Sequence, residues 1–166
     1  MLISGSPAPG LELEDTTGQA WRLSRHRGVH NVLLYFMRST SCPVCNRHVR
    51  DLVAQQDRFD DSDIHVAVVV PEGRGPGLEW KTERGIPFPV LSGAAASPHE
   101  SGAAASPHES IGLARKVFGS IQQSGTVLVD VDGIVRHAHG ATLPLNSYDK
   151  KGLAAAIDSL RSRTMM

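Results

Sequence analysis

The sequence predicts an α/β fold: a mixed central β-sheet flanked by helices on both faces, with an N-terminal β-hairpin ahead of it. Three observations carry this expectation. Two apolar runs of strand length, Asn31 to Met37 and Ile64 to Val70, read as strands buried on both faces. An amphipathic helical pattern lies between them, and such a strand, helix and strand implies a right-handed crossover with parallel pairing. Hairpin signals stand near both ends, around Thr16-Thr17-Gly18 and at Asp132-Gly133.

Taken in order, Leu11 to Asp15 and Gln19 to Leu23 alternate in polarity and predict a hairpin added to the surface of the core. Ser24-Arg-His-Arg-Gly28 is a charged, solvated loop leading into the first central strand. Cys45, Val49, Leu52 and Val53 then recur at helical spacing and give a core-facing stripe. Asp57 to Asp63 reads as a polar connection whose acidic residues are solvated. Pro71 to Gly77 has three glycines but neither phosphate-binding fingerprint, so it reads as a loop before a short helix near Leu78 to Arg84. Pro87 to Leu91 predicts a short strand with its prolines at an edge. Gly125 to Asp130 and Ile134 to His139 predict the second hairpin. Tyr148 to Arg161 predicts a closing helix, with Leu153, Ala156, Ile157 and Leu160 on one face.

The 166 residues fit a single domain spanning 1–166, large enough for an ordinary core. Within it, Ser92 to Glu100 is repeated without change as Ser101 to Glu109. Each copy ends in a Ser-Pro-His-Glu capping pattern. Only the second is followed by a core-like continuation, Ile111 to Phe118, so Ser106 is expected to cap that helix. The duplication at 92–109 is then expected to be a surface insertion, a low-cost change in closure entropy.

Lys plus Arg equals Asp plus Glu at 17 each, which removes any electrostatic case for nucleic acid or an acidic membrane surface. No signal-like N-terminus and no span of membrane length is read, so a soluble, cytoplasmic protein is expected. No flavin or nicotinamide fingerprint is present either.

The only two cysteines, Cys42 and Cys45, form a Cys-x-x-Cys between the first apolar strand and the helix, the pattern of a thiol–disulfide redox site. Pro43 suits the first helical position and puts Cys42 at the N-cap. The helix dipole there favours a thiolate; a contribution of about 1–2 kcal/mol would lower the Cys42 pKa by roughly one unit. Arg38 and Arg47 flank the site and can add to the effect if their heads lie close. His48, one turn into the helix, reads as a solvated surface residue. A purely structural bridge over so short a loop would contribute about 2 kcal/mol, so a staple here would be weak. A zinc site would need two further ligands, for which His137 and His139 are the available pair.

Four stretches carry a family resemblance: Gly5-Ser-Pro-Ala-Pro-Gly-Leu-Glu-Leu-Glu-Asp-Thr-Thr-Gly18, Leu33-Leu-Tyr-Phe-Met-Arg-Ser-Thr-Ser-Cys-Pro-Val-Cys45, Phe88-Pro-Val-Leu91 and Thr126-Val-Leu-Val-Asp-Val-Asp-Gly133. In them the chain resembles the alkyl hydroperoxide reductase/thiol-specific antioxidant, or peroxiredoxin-like, family of the thioredoxin-fold superfamily. The resemblance implies a thioredoxin-like fold with four or five central strands and the redox cysteines at the start of the first major helix. It also implies an antioxidant oxidoreductase acting on a peroxide or disulfide, re-reduced by a protein dithiol such as a thioredoxin, and often a homodimer.

Peroxiredoxins place the peroxide-reactive cysteine in Pro-x-x-x-Thr/Ser-x-x-Cys. Aligned on Cys45 the motif positions hold Arg38 and Cys42; aligned on Cys42 they hold Tyr35 and Ser39. The arginine that many peroxiredoxins carry before the later strand corresponds to Ser124 here. Gly125 precedes Thr126 where thioredoxins have a cis-proline. The best match is the peroxiredoxin-like branch that pairs an arginine before the site with Cys-Pro-x-Cys. Cys42 is expected to attack and Cys45 to resolve, the reverse assignment remaining open. A true hydroperoxide reductase and a non-catalytic redox-gated or zinc-binding module are the alternatives.

Overall fold

The computed structural model describes residues 3–92, 115–116, 121–122, 124–141 and 148–164. Seven strands form one mixed sheet: β1 (Glu12–Asp15), β2 (Ala20–Arg22), β3 (Asn31–Phe36), β4 (Ile64–Val70), β5 (Val90–Ser92), β8 (Ser124–Val129) and β9 (Val135–Ala141), in the order β2-β1-β5-β4-β3-β8-β9. A separate pair joins β6 (Arg115–Lys116) to β7 (Ile121–Gln122). The described helices are α1 (Pro43–Ala54), α2 (Gln56–Asp61), α3 (Arg74–Arg84) and α4 (Lys150–Thr164), with a 3-10 turn at Leu23–His26. The expected mixed α/β architecture is present.

β3 lies at the centre, parallel to β4 and antiparallel to β8. All six of its side chains are buried, which its continuous apolar run required. Period-two alternation divides them. Leu33, Tyr35 and Met37 join Val66, Val68, Val70 and Leu128 on one face, against Cys45, Val49 and Leu52 of α1, Trp80 of α3 and Leu153 and Ile157 of α4. Val32, Leu34 and Phe36 point the other way, to Val69, Val127 and Val135, where Leu11, Leu13 and Leu23 cover them.

Four local readings are corrected. The N-terminal hairpin is part of the sheet rather than an addition to its surface, because β1 pairs antiparallel with β5 at Glu14↔Ser92 and Asp15↔Leu91. Residues 56–61 form α2 instead of a polar connection, since burying Phe59 anchors a turn whose other residues are hydrophilic. The helix expected near Leu78 begins earlier, at Arg74 after Gly73. Arg115 and Lys116, expected inside a helix over 111–118, are paired instead with Gln122 and Ile121. The rest of that predicted helix, residues 111–114 and 117–118, its cap at Ser106 and the duplication apart from Ser92 lie outside the described residues.

Candidate active site

The carboxyl end of β3 delivers the chain to the cysteines. Cys42 is the N-cap of α1, with φ −72° and ψ 114°, and Pro43 follows at the first helical position. The Cys42 carbonyl accepts the first intrahelical bond from the Asn46 N–H at 3.0 Å. Its Sγ accepts the Cys45 N–H at 3.3 Å, as an N-cap side chain does for one of the orphan donors. Both cysteines are free thiols, Cys42 at 3% and Cys45 at 0% relative exposure. A Cys-x-x-Cys at a helix start can pass between dithiol and disulfide with small movement.

The second thiol is the more deeply held. Burial, and then its hydrogen bond with Cys42, push the Cys45 thiol up to about 11. The Arg38 backbone N–H and the Tyr35 hydroxyl oppose this by hydrogen bonding to its sulfur. The Tyr35 hydroxyl also lies 2.7 Å from His48 Nδ1. Beyond His48, the Tyr148 ring packs at 5.0 Å between centroids. The Tyr148 hydroxyl donates to Asp51 Oδ2 at 2.7 Å, and Asp51 also takes Gln55 at 2.8 Å and Lys150 at 3.0 Å. A polar chain therefore runs from the buried thiol through an aromatic layer to charged groups on α1 and α4.

The loop entering the helix is fixed from inside. Asn46, itself buried, donates from Nδ2 to the Thr40 carbonyl at 2.9 Å and the Cys42 carbonyl at 2.8 Å. Its Oδ1 accepts the Trp80 indole N–H at 2.7 Å, so α3 braces the same loop. From the β4–α3 connection, Glu72 Oε1 accepts the Thr40 N–H at 2.9 Å. Ser39 and Ser41 are joined through their hydroxyls at 2.8 Å.

Of the residues singled out by sequence, Cys42, Pro43 and Cys45 stand together at the start of α1. Arg38 sits beside them, half-buried, and its contribution to Cys45 comes through the backbone. Arg47 is exposed on α1, and its positive charge acts on His48. Gly125 pairs with Phe36 and Thr126 with Tyr35, which places both on β8 beside the site. His48 departs from the solvated reading: it is half-buried and bonded to Tyr35, and burial followed by the Arg47 charge holds it below the ordinary histidine value. Its place three residues after Cys45 on one helix flank was the available signal.

Tyr35, Asn46, Glu72 and Trp80 were not singled out, because their roles show only in bonds between residues distant in sequence, Tyr35 with His48, Glu72 with Thr40 and Asn46 with Trp80. Among the described residues the histidines and acids that gather as a donor set are His30, Asp63 and His65, where β3 and β4 begin. They lie at the opposite end of these strands from the cysteines.

Comparison with known proteins bears on what this arrangement is. The model of the AhpC/TSA family matches residues 4–138. Chloroplastic peroxiredoxin Q of Oryza sativa subsp. japonica is 23% identical over 135 residues, 81% of this chain and 58% of that protein. Peroxiredoxin Bcp of Bacillus subtilis is 28% identical over 87 residues, 52% of this chain and 55% of that one. The chain thus spans little more than half the length of these curated relatives. Among solved structures, peroxidoxin BcpB of Mycobacterium tuberculosis superposes with a TM-score of 0.76 at 18% identity, covering 98% of both chains. Peroxiredoxin Q of Xanthomonas campestris gives 0.69 at 19% identity, covering 92% of this chain and 90% of that one. At such identities the two structures are evidence for the fold.

Proposed function

This chain belongs to the AhpC/TSA family, and on that footing we propose that it is a thiol-dependent, peroxide-reducing oxidoreductase of the peroxiredoxin type that cycles through a Cys42–Cys45 disulfide. The observation that carries the reading is the thiol at the helix start, Cys42 Sγ accepting the Cys45 N–H, with a second, hydrogen-bonded thiol one turn away. An N-cap sulfur meets unpaired N–H groups and the positive end of the helix dipole.

In the proposed cycle, Cys42 sulfur attacks the terminal oxygen of a hydroperoxide. An S–O bond forms, the O–O bond breaks, and the alkoxide or hydroxide leaves with a proton, giving Cys42 sulfenic acid. Cys45 sulfur then attacks Cys42 sulfur. An S–S bond forms, the S–O bond breaks, and water leaves. A protein dithiol of the thioredoxin kind returns the pair to thiols by two exchange steps. A lone cysteine pair that cycles suits a reducing compartment, so the cytoplasm is the proposed location; among the described residues no helix is long and apolar enough to cross a membrane.

The reverse order of attack is the second reading, favoured by the two donors that Tyr35 and Arg38 aim at Cys45 sulfur. Peptide mass mapping after sub-stoichiometric peroxide separates the two. Sulfenic acid on Cys42 in a Cys45→Ser protein is expected, whereas sulfenic acid on Cys45 in a Cys42→Ser protein would transfer the peroxide-reactive role to Cys45. Steady-state turnover with a thioredoxin-recycling system then tests the substrate. Peroxide-dependent consumption of reductant supports a peroxidase. Turnover with a disulfide alone would place the protein among the disulfide reductases.

A further inference from the structure

We infer that Tyr35 and His48 form a proton relay serving Cys45: as Cys45 attacks the oxidised Cys42, its thiol proton passes to the Tyr35 oxygen while the Tyr35 hydroxyl proton passes to His48 Nδ1. The inference rests on the dithiol cycle proposed above.

The geometry supplies each link. Tyr35 is fully buried on the face of β3 that meets α1. Its hydroxyl lies 2.7 Å from His48 Nδ1, and Tyr35 shares a core layer with Cys45, close enough for its hydroxyl to lower that thiol by hydrogen bonding. A single hydroxyl in this position can accept one proton while releasing another.

Chemical need points the same way. Burial raises the Cys45 thiol above its ordinary value, so little of it is ionised at pH 7. An attack that waited for that fraction would be slow, so a neighbouring base has a task here. His48 suits it, because burial and the Arg47 charge outweigh Asp51 and keep the ring neutral at pH 7. Asp51 is already committed to Tyr148, Gln55 and Lys150. The other titratable groups on this side are the Tyr148 phenol against His48, and His139 on β9, across Thr126 from Tyr35 in the strand register.

The balance is complete. An S–S bond forms between the two cysteines as the bond from Cys42 to its leaving group breaks. Cys45 sulfur is oxidised; its electrons reduce Cys42 sulfur when Cys42 is a sulfenic acid, and the departing thiolate sulfur when Cys42 is in a mixed disulfide. The leaving group departs with the electron pair, a hydroxide becoming water by taking a solvent proton, and His48 later returns its proton to solvent. Tyr35 touches the reacting sulfur; His48 acts through it and is a positioning residue.

Reduced protein treated with limiting 5,5′-dithiobis(2-nitrobenzoate) separates the steps. A first release of thionitrobenzoate marks loading of Cys42, and a second marks attack by Cys45. In the parent the second phase should rise with pH below about 6.5 and then level off. In Tyr35→Phe and in His48→Gln the ratio of second to first rate should drop at least tenfold at pH 7. In both variants that second rate should then climb about tenfold per pH unit towards pH 10, as the thiol ionises unaided.

Variants that close at the parent's rate, or a parent whose closure climbs tenfold per unit through pH 7–9, would overturn the relay. If Tyr35→Phe folds poorly, the His48→Gln profile decides alone. A parent that closes with a plateau after nitrobenzoate loading, yet forms no disulfide with peroxide, loses the peroxidase reading and keeps the relay. A parent with no second phase loses both.

Discussion

Asn46 satisfies three partners from inside a helix, two carbonyls of the loop ahead of it and one indole N–H of α3. No other side chain of its size offers two donors and an acceptor in this arrangement. Asn46→Ala leaves the buried Trp80 N–H without its acceptor, and removing one partner from a buried hydrogen bond costs about 1–3 kcal/mol. The melting temperature should fall by roughly 3–10 °C for a chain of this size. Trp80→Phe removes the same bond from the other end. The loss in the double variant should therefore be smaller than the sum of the two single losses, and strict additivity would show that the Asn46–Trp80 bond contributes nothing. Asn46→Asp keeps the acceptor but turns a donor towards two carbonyls into a carboxylate oxygen, so it should be worse than Ala.

Among elements, those that carry local signals were legible in the sequence. β3 and β4 announced themselves as largely apolar runs, broken only by Asn31 and His65, and α1 by its apolar spacing and Pro43. The cysteine pair followed, because the N-cap at Cys42 is set by Pro43 and by the helical spacing that begins at Cys45. α2 was hidden by its hydrophilic sequence and held by Phe59 alone. The union of the hairpin with β5 and the polar network around Cys45 were also out of reach. They join residues far apart in sequence, Tyr35 with His48, Asn46 with Trp80, and Asp51 with Tyr148, and no local period records such pairings.

The end of β5 shows what a local reading can still predict once that network is known. Ser92, the first residue of the duplication, is buried and donates to the Glu72 carbonyl at 2.8 Å; Glu72 in turn holds Thr40 in the loop before Cys42. Because the two copies are identical, deleting Ser92 to Glu100 brings Ser101 to the place of Ser92. The strand end and its link to the site are then restored. We propose that the extra copy is a neutral insertion: the deletion variant should melt within about 2 °C of the parent, since shortening the connecting chain changes closure entropy by only a few tenths of a kcal/mol. Thiol alkylation rates should be unchanged. Slower or faster alkylation of Cys42 in the shortened chain would show that the insertion acts on the site.

At the scale of the whole molecule, the displaced titrations define where it is most stable. His26, His48 and His137 are all held below the ordinary histidine value, in each case by burial first. The unfolded chain therefore binds protons that the folded chain refuses as pH falls through about 6.5, and stability declines below that point. Asp15 and Asp51 are lowered from 3.8 because hydrogen bonds, with Lys150's charge added at Asp51, outweigh a larger single burial effect. Their stabilising contribution is complete above the unfolded value and is lost as pH falls further.

On the alkaline side the sign reverses. Cys45 and Tyr148 are raised, so the unfolded chain ionises first, and stability declines as pH climbs past about 9 for the thiol and 10 for the phenol. The reduced protein should accordingly melt highest between about pH 7 and 9, with lower midpoints at pH 5 and pH 10.5. His48→Gln should flatten the acid limb, because it removes one of the three histidines held low among the described residues. Cys45→Ser should flatten the alkaline limb and leave the acid one in place. A melting temperature that rises from pH 7.5 to pH 5 would contradict the burial of these histidines. An alkaline limb unchanged by Cys45→Ser would mean that Cys45 does not hold its proton more tightly in the folded protein than in the unfolded chain.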